Sequence, residues 1–369
     1  MNPSSPPVPA SARLLWPDIA KGVCILLVVL HHVTTKHYAP LVAEGLGPVE
    51  GAWVGLSSAL KPVRMPLFFL VSGFFASRVV QRSWTEVRAR AMRLAYVYVI
   101  WLVLLWGVFT LEVTLPANRT QGWLELLLDV LYASTGLWFL YALALYTVLA
   151  AALRHLPPGV VVAVAGTVSL LASFLPLEET NRVSVLFHFT FFAVGAYAPD
   201  LVRRVAGAGL SLRALVAAYA CLSLLLVPLD PPRSIELVLL SVVGLPAGIT
   251  AAVALSRVSR VAEPLAWLGR RTLPVYVLHM VVIAVVQHSG VVLGEGRTLA
   301  SFVVTLSYPL VLTALVVAAT LLGHTLAVRH GLGFLFALPE GGGRAPDARA
   351  ERPSRQVPAS DGRGPWGGR

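Results

Sequence analysis

Charge is scarce along this chain, and acid is scarcer than base. Only 13% of its 369 residues are Asp, Glu, Lys or Arg, against about 25% in an ordinary soluble domain. That deficit excludes a water-soluble globular protein of this length. The two cysteines, Cys24 and Cys221, each lie inside an apolar run, so no disulfide framework is implied. No His, Cys and carboxylate cluster has ligand spacing, and no metal site is expected. The apolar/polar alternation that barrel strands require is missing. No internal repeat is evident. The polar, Pro/Ser-rich residues 1–12 do not read as a signal peptide, and no cleavable one is expected.

What the chain has instead is long apolar runs, which make 57% of it hydrophobic. They predict an all-α polytopic transmembrane bundle of about ten helices. The spans fall near 17–35, 63–80, 93–115, 136–153, 159–176, 183–199, 212–229, 235–256, 272–294 and 299–328. Residues 13–338 form the membrane domain on this reading. Segment 1–12 and the Gly/Pro/Arg-rich tail 339–369 are expected to be disordered. A short interfacial helix is expected at Trp123–Leu131, with Glu125 and Asp129 on one side and Trp123, Leu126, Leu127 and Val130 on the other.

The basic residues then set orientation. One set of segments holds Arg13, then Arg78, Arg82, Arg88, Arg90 and Arg93, then Arg154, then Arg203, Arg204 and Arg213, then Arg257, Arg260, Arg270 and Arg271, and seven arginines in the C-terminal stretch. The opposite set holds only Lys36, Lys61, Arg64, Arg119, Arg182, Arg233 and Arg297. This bias predicts that both termini are cytoplasmic. It also accounts for the net charge of +11 without a nucleic-acid partner.

The sharpest chemical feature is Lys21 followed by His32. Eleven steps of 100° return to within about 20° of the start, so both occupy one face of the first helix. They lie roughly 16 Å apart along its axis. A cation and an imidazole on one membrane-helix stripe are costly unless they face a polar cavity. The bland alternative is a snorkelling lysine and a histidine with one interhelical hydrogen bond. The functional alternative makes His32 a general base and Lys21 an anchor for an anion. Asp18 lies one turn before Lys21, where it can pair with it.

Other motifs are weaker alone. Ser72-Gly73, in an aromatic run that follows Arg64-Met65-Pro66, suits close helix packing as well as a site. The Arg78–Arg93 loop suits topology or a phosphorylated cytosolic ligand, because guanidinium grips phosphate in bidentate fashion. Trp138 and Tyr141 fit an aromatic belt. His279, in Tyr276-Val277-Leu278-His279, is as easily structural as functional, and His188, His288 and His324 are weaker candidates.

In this order the motifs resemble the acyltransferase-3 family of integral membrane proteins, its fucose O-acetylase-like branch most of all. The resemblance covers roughly residues 13–328. It rests on the basic residue, ten intervening positions and a histidine at Lys21 and His32, with Asp18 three residues earlier. It also rests on Met65–Phe69 with Ser72-Gly73-Phe74, on Arg93, on Leu137–Leu140 and on Tyr276–His279. The sequence departs from the family pattern at Arg64, where histidine is usual, and at Val97, where proline is usual. No esterase-like domain follows the membrane body in this sequence, so the membrane unit or a separate partner is expected to complete transfer.

The resemblance implies transfer of an acyl group, acetyl by default, from cytosolic acyl-CoA to a hydroxyl of a sugar, glycan or glycosylated metabolite. It implies His32, Lys21 and Asp18 as catalytic residues. Arg90, Arg93, Arg270 and Arg271 would bind CoA, and Ser72, Trp138, Tyr276 and His279 the substrate. Acyl-CoA is then a co-substrate, with no permanently bound cofactor, in a multi-pass protein of the bacterial plasma membrane; the lipid bilayer is its setting, and a homo-oligomer is allowed. The competing reading is a transporter of a sugar or polar metabolite through an intramembrane Lys/His pathway. The absence of an inverted repeat weighs against it. A membrane scaffold explains the fold but not the Lys21–His32 stripe.

Overall fold

The computed structural model describes residues 14–41, 47–115, 120, 122–132, 135–175, 180–289 and 298–339. Segment 1–12 and almost all of 339–369 lie outside these, as do Arg13, Arg119 and Arg297 of the charge pattern.

Among the described residues every regular element is helical. The chain begins with α1 (Trp16–His32), a π-helical turn (Val33–Tyr38) and α2 (Ala39–Leu41). There follow α3 (Gly47–Ala59), α4 (Lys61–Gln81), α5 (Trp84–Leu111), α6 (Trp123–Tyr132) and α7 (Trp138–Ala152). Next are α8 (Pro158–Leu171), α9 (Thr180–Tyr197), α10 (Pro199–Gly207) and α11 (Leu212–Leu226). The last are α12 (Arg233–Ser256), α13 (Ser259–Gly269), α14 (Thr272–Gln287) and α15 (Leu299–Arg329). Local chemistry sets several starts. Pro17 occupies the first turn of α1, the Ser83 side chain caps α5 through the Glu86 amide, and Thr298 with Ser301 forms a capping box on α15.

A helix lies in each of the ten predicted segments. Five stretches are long and apolar enough to cross a membrane: Trp16–Leu41, Gly47–Gln81, Trp84–Leu111, Arg233–Ser256 and Leu299–Arg329. The count rises to seven if each of two bent pairs is one span. Shorter apolar helices cover Trp138–Ala152, Pro158–Phe174 and Leu212–Leu226. The chain is thus a multi-pass helical membrane protein. One expectation is corrected. Arg88, Arg90 and Arg93 do not sit in a loop, because α5 already starts at Trp84 behind its Ser83 cap.

Helices in lipid gain little from the hydrophobic effect between themselves and rely on close packing at small residues. Here α1 sits centrally, against α4, α12, α13, α14 and α15, and α4 packs most extensively on α9. Gly73 of α4 abuts the Phe192 backbone, and Gly195 of α9 abuts that of Leu70. Gly22 of α1 meets the Leu265 carbonyl, and Gly269 at the end of α13 meets that of Asp18. The chain then turns by 79° from α13 into α14, so the Gly269 contact delivers Arg270, at the corner, to Asp18.

In α6 the two predicted polar residues part: Asp129 faces inward with Leu126 and Val130, and Glu125 is exposed. Asp129 is buried, its carboxylate accepting from Thr120 and its carbonyl from the Tyr98 hydroxyl, while Trp123, Leu124, Leu127 and Leu131 are exposed.

Candidate functional site

Two cavities open along α1. The first, of about 520 Å³, lies toward its N-terminal end and is lined by Asp18, Lys21, Ser72, Arg90 and Arg270, with Phe68, Phe75 and Leu143 among its apolar walls. The second, of about 360 Å³, lies toward its C-terminal end and is lined by His31, His32, Lys36, Trp138, Asn181 and His279, with Leu102, Trp106 and Phe109. Lys21 and His32 therefore face two chambers rather than one.

The partition between them is built from two short stretches. In Leu137–Leu140 the first two residues line the second chamber, and Phe139 and Leu140 line the first. Tyr276 lines both. Its hydroxyl donates to the Gly136 carbonyl at 2.8 Å and accepts the Phe139 amide at 3.3 Å.

The first chamber is electropositive. Asp18 is only 1% exposed, with Lys21 Nζ 3.6 Å from Oδ1 and Arg270 Nη1 3.7 Å from Oδ2. One carboxylate thus serves two cations, and Arg90 adds a third. The Arg90 Nε is buried without a hydrogen-bond partner. Lys21 also lies 4.8 Å from the centre of the Phe75 ring, a cation–π contact. Lysine and guanidinium groups converging on one cleft focus potential toward a polyanion.

The second chamber is organised by imidazoles. The His32 ring lies 5.1 Å from His31 on one side and 5.1 Å from His279 on the other, centroid to centroid. His279 Nδ1 is 2.7 Å from the Tyr276 carbonyl and 3.1 Å from that of Val275. Both partners are acceptors, so Nδ1 carries the proton and Nε2 holds the lone pair. That Nε2 is buried without a partner, and so is His32 Nδ1. His31 Nδ1 is 2.7 Å from Ser57 Oγ. Among the described residues no group of three or more His, Cys, Asp or Glu is arranged to hold a metal ion.

The structure separates the remaining candidates. Arg93 and Arg271 are exposed and line neither chamber, and Arg271 stacks over Trp267 at 4.3 Å. Ser72 reaches the first chamber while its neighbour Gly73 makes the tight helix contact. Trp138 reaches the second chamber and packs on His188, which itself lines neither. Arg64 is buried with its guanidinium on the Ser57 carbonyl at 2.9 Å. His288 lies 3.5 Å from Glu112, and His324 packs edge-on against Phe336.

Sequence reasoning overlooked Lys36, which it assigned to an external loop, and Asn181, which carried no motif. It also overlooked His37, buried between Gln287 at 2.6 Å and Tyr308 at 2.8 Å. The π turn that positions Lys36 and His37 has no sequence signature of its own.

A helical membrane protein with a cation-lined chamber set beside a histidine-lined one is the class these features define. The family model described as an acyltransferase domain matches residues 14–327. The chain belongs to the acyltransferase-3 family. It is 26% identical over 203 residues to the inner membrane protein YcfT of Escherichia coli (strain K12), a match covering 50% of this chain and 56% of that protein. No solved structure matches this chain.

Proposed function

We propose that the protein is an O-acyltransferase of the bacterial plasma membrane. It moves an acyl group, acetyl by default, from cytosolic acyl-CoA to a hydroxyl of a sugar, glycan or glycoside. The observation that carries the reading is the division of labour between the chambers. Three cations and a single carboxylate line the chamber on one side of Tyr276, and two imidazoles with unpartnered nitrogens lie on the other.

On this reading the chain makes about ten passes with both termini in the cytosol, so the first chamber opens inward. Lys21, Arg90 and Arg270 bind the pyrophosphate and phosphate of CoA there. Asp18 holds Lys21 and Arg270 in place. The acyl end passes Tyr276 toward His32. His32 takes the proton of the acceptor hydroxyl as its oxygen attacks the thioester carbonyl. The new C–O bond forms, the C–S bond breaks, and the proton passes on to the departing thiolate. The inner-membrane description of the relative supports the location.

The test is acyl-CoA binding and turnover by the purified protein in lipid nanodiscs. Acetyl-CoA should stabilise the wild type against heat, and Arg90→Gln should weaken that effect. Sugar flux through proteoliposomes without any acyl-CoA consumption would support transport instead.

A further inference from the structure

We propose that the acceptor bound in the second chamber carries an oxyanion, a carboxylate or a phosphate on its sugar, and that Lys36 holds it. The proposal rests on the acyl-transfer reading of the same site and adds the chemical class of the acceptor.

Lys36 is the one ionised side chain, histidines aside, among the described residues lining this cavity. Among the described residues no Asp or Glu lines it. The nearby buried acids are turned to other groups. Glu112 Oε1 accepts from the Thr114 amide at 2.8 Å and the Leu115 amide at 2.9 Å, and it faces His288. Asp129 accepts from Thr120, whose hydroxyl is thereby occupied although Thr120 lines the chamber. Lys36 has no carboxylate within ion-pair distance among the described residues. An ammonium beside apolar walls such as Leu102 and Phe109 is costly until an anion joins it.

The backbone aims Lys36 at the same place as His32. In an α-helix four steps overshoot a full turn by roughly 40°. The wider π turn over Val33–Tyr38 reduces that overshoot, so position 36 stacks more nearly above position 32. His37 pins the turn from the other side, through Gln287 of α14 and Tyr308 of α15. A second, independent feature points to a polar ligand here. The His279 Nε2 is buried and unpartnered in a residue that lines the cavity. A sugar can place a hydroxyl at the imidazoles and an acidic substituent at Lys36, which is roughly 6 Å further along the helix at 1.5 Å per residue.

The experiment uses the full chain in phosphatidylcholine nanodiscs, where no anionic lipid competes. Binding of methyl glucuronoside, glucose 6-phosphate and methyl glucoside is measured by thermal shift and calorimetry. At least one anionic sugar should bind the wild type tighter than the neutral one by at least about tenfold, the size of one charge-assisted hydrogen bond. Which one wins tells carboxylate from phosphate. The advantage should shrink with salt, vanish in Lys36→Gln and survive in Lys36→Arg. Equal binding of all three, no binding of any, or a preference that survives Lys36→Gln would overturn the proposal, leaving Lys36 as a lipid-headgroup contact. Stabilisation by acetyl-CoA, read in the same samples, reports whether each variant is folded; should Lys36→Gln not fold, Lys36→Met and the wild-type salt dependence decide. If acetyl-CoA fails to stabilise the wild type while an anionic sugar does, the donor reading fails and the anionic subsite stands.

Discussion

The Tyr276 hydroxyl accepts the Phe139 amide at 3.3 Å, and the two rings pack with centroids 5.5 Å apart. One phenol thereby ties α14 to the first turn of α7, between the two chambers. Tyr276→Phe keeps the ring and removes the bonds to Phe139 and Gly136. Leaving the buried Phe139 amide unpaired costs about 1–3 kcal/mol, and the partition should loosen. Transfer is expected to fall by about tenfold, and acyl-CoA hydrolysis to rise relative to it as water reaches the thioester. Both products measured in one reaction check this; an unchanged ratio would remove Tyr276 from the partition.

The four arginines that the sequence grouped together should separate. Arg90 and Arg270 line the first chamber, whereas Arg93 and Arg271 do not. Arg90→Gln and Arg270→Gln should each raise KM for acyl-CoA by about tenfold, one charge-assisted hydrogen bond. Arg93→Gln and Arg271→Gln should stay within about twofold, as exposed charges do. Steady-state kinetics on the four variants decide the matter.

Asp18→Asn removes the carboxylate shared by Lys21 and Arg270. Two cations then repel without compensation at the mouth of the first chamber. The loss should approach about 3 kcal/mol, the low end for a broken buried pair, because Arg270 is partly in water. Thermal unfolding in detergent should register it, and acyl-CoA should restore part of the loss by supplying the missing negative charge. A variant as stable as wild type would show that the pairing has no structural weight.

Much of the architecture was legible because membrane helices announce themselves as long apolar runs. The shared face of Lys21 and His32 followed from 100° per residue alone. The wall between their chambers did not, since it is tertiary: Tyr276 meets Phe139 across 137 positions of sequence. The difference between Arg90 and Arg93 was hidden for a local reason. Once α5 starts at Trp84 these residues sit on a helix, about 60° apart around its axis, whereas a loop gives them no faces to differ by. Lys36 looked like an external loop charge because apolar periodicity does not reveal the π turn that carries it inward.

Packing gives a paired prediction. A Cβ at Gly269 would overlap the Asp18 carbonyl, whereas at Gly166 of α8 it would meet nothing within 4 Å. Gly269→Ala should cost more than the roughly 1–3 kcal/mol of ordinary overpacking, because backbone must move. It should also disturb the Arg270–Asp18 pair. Gly166→Ala should be neutral or stabilising by up to about 1 kcal/mol, from helix propensity. Expression level and melting temperature of the two variants test the contrast.

The central claim is that this chain acylates a carbohydrate acceptor through His32. Its most direct test is mass spectrometry of surface glycans and secreted glycosides from cells lacking the gene, complemented with wild type or with His32→Ala. The account predicts a species that loses an acyl mass increment on deletion and regains it only with wild type. An increment fully restored by His32→Ala, or no acylated species that depends on the expressed chain, would contradict it.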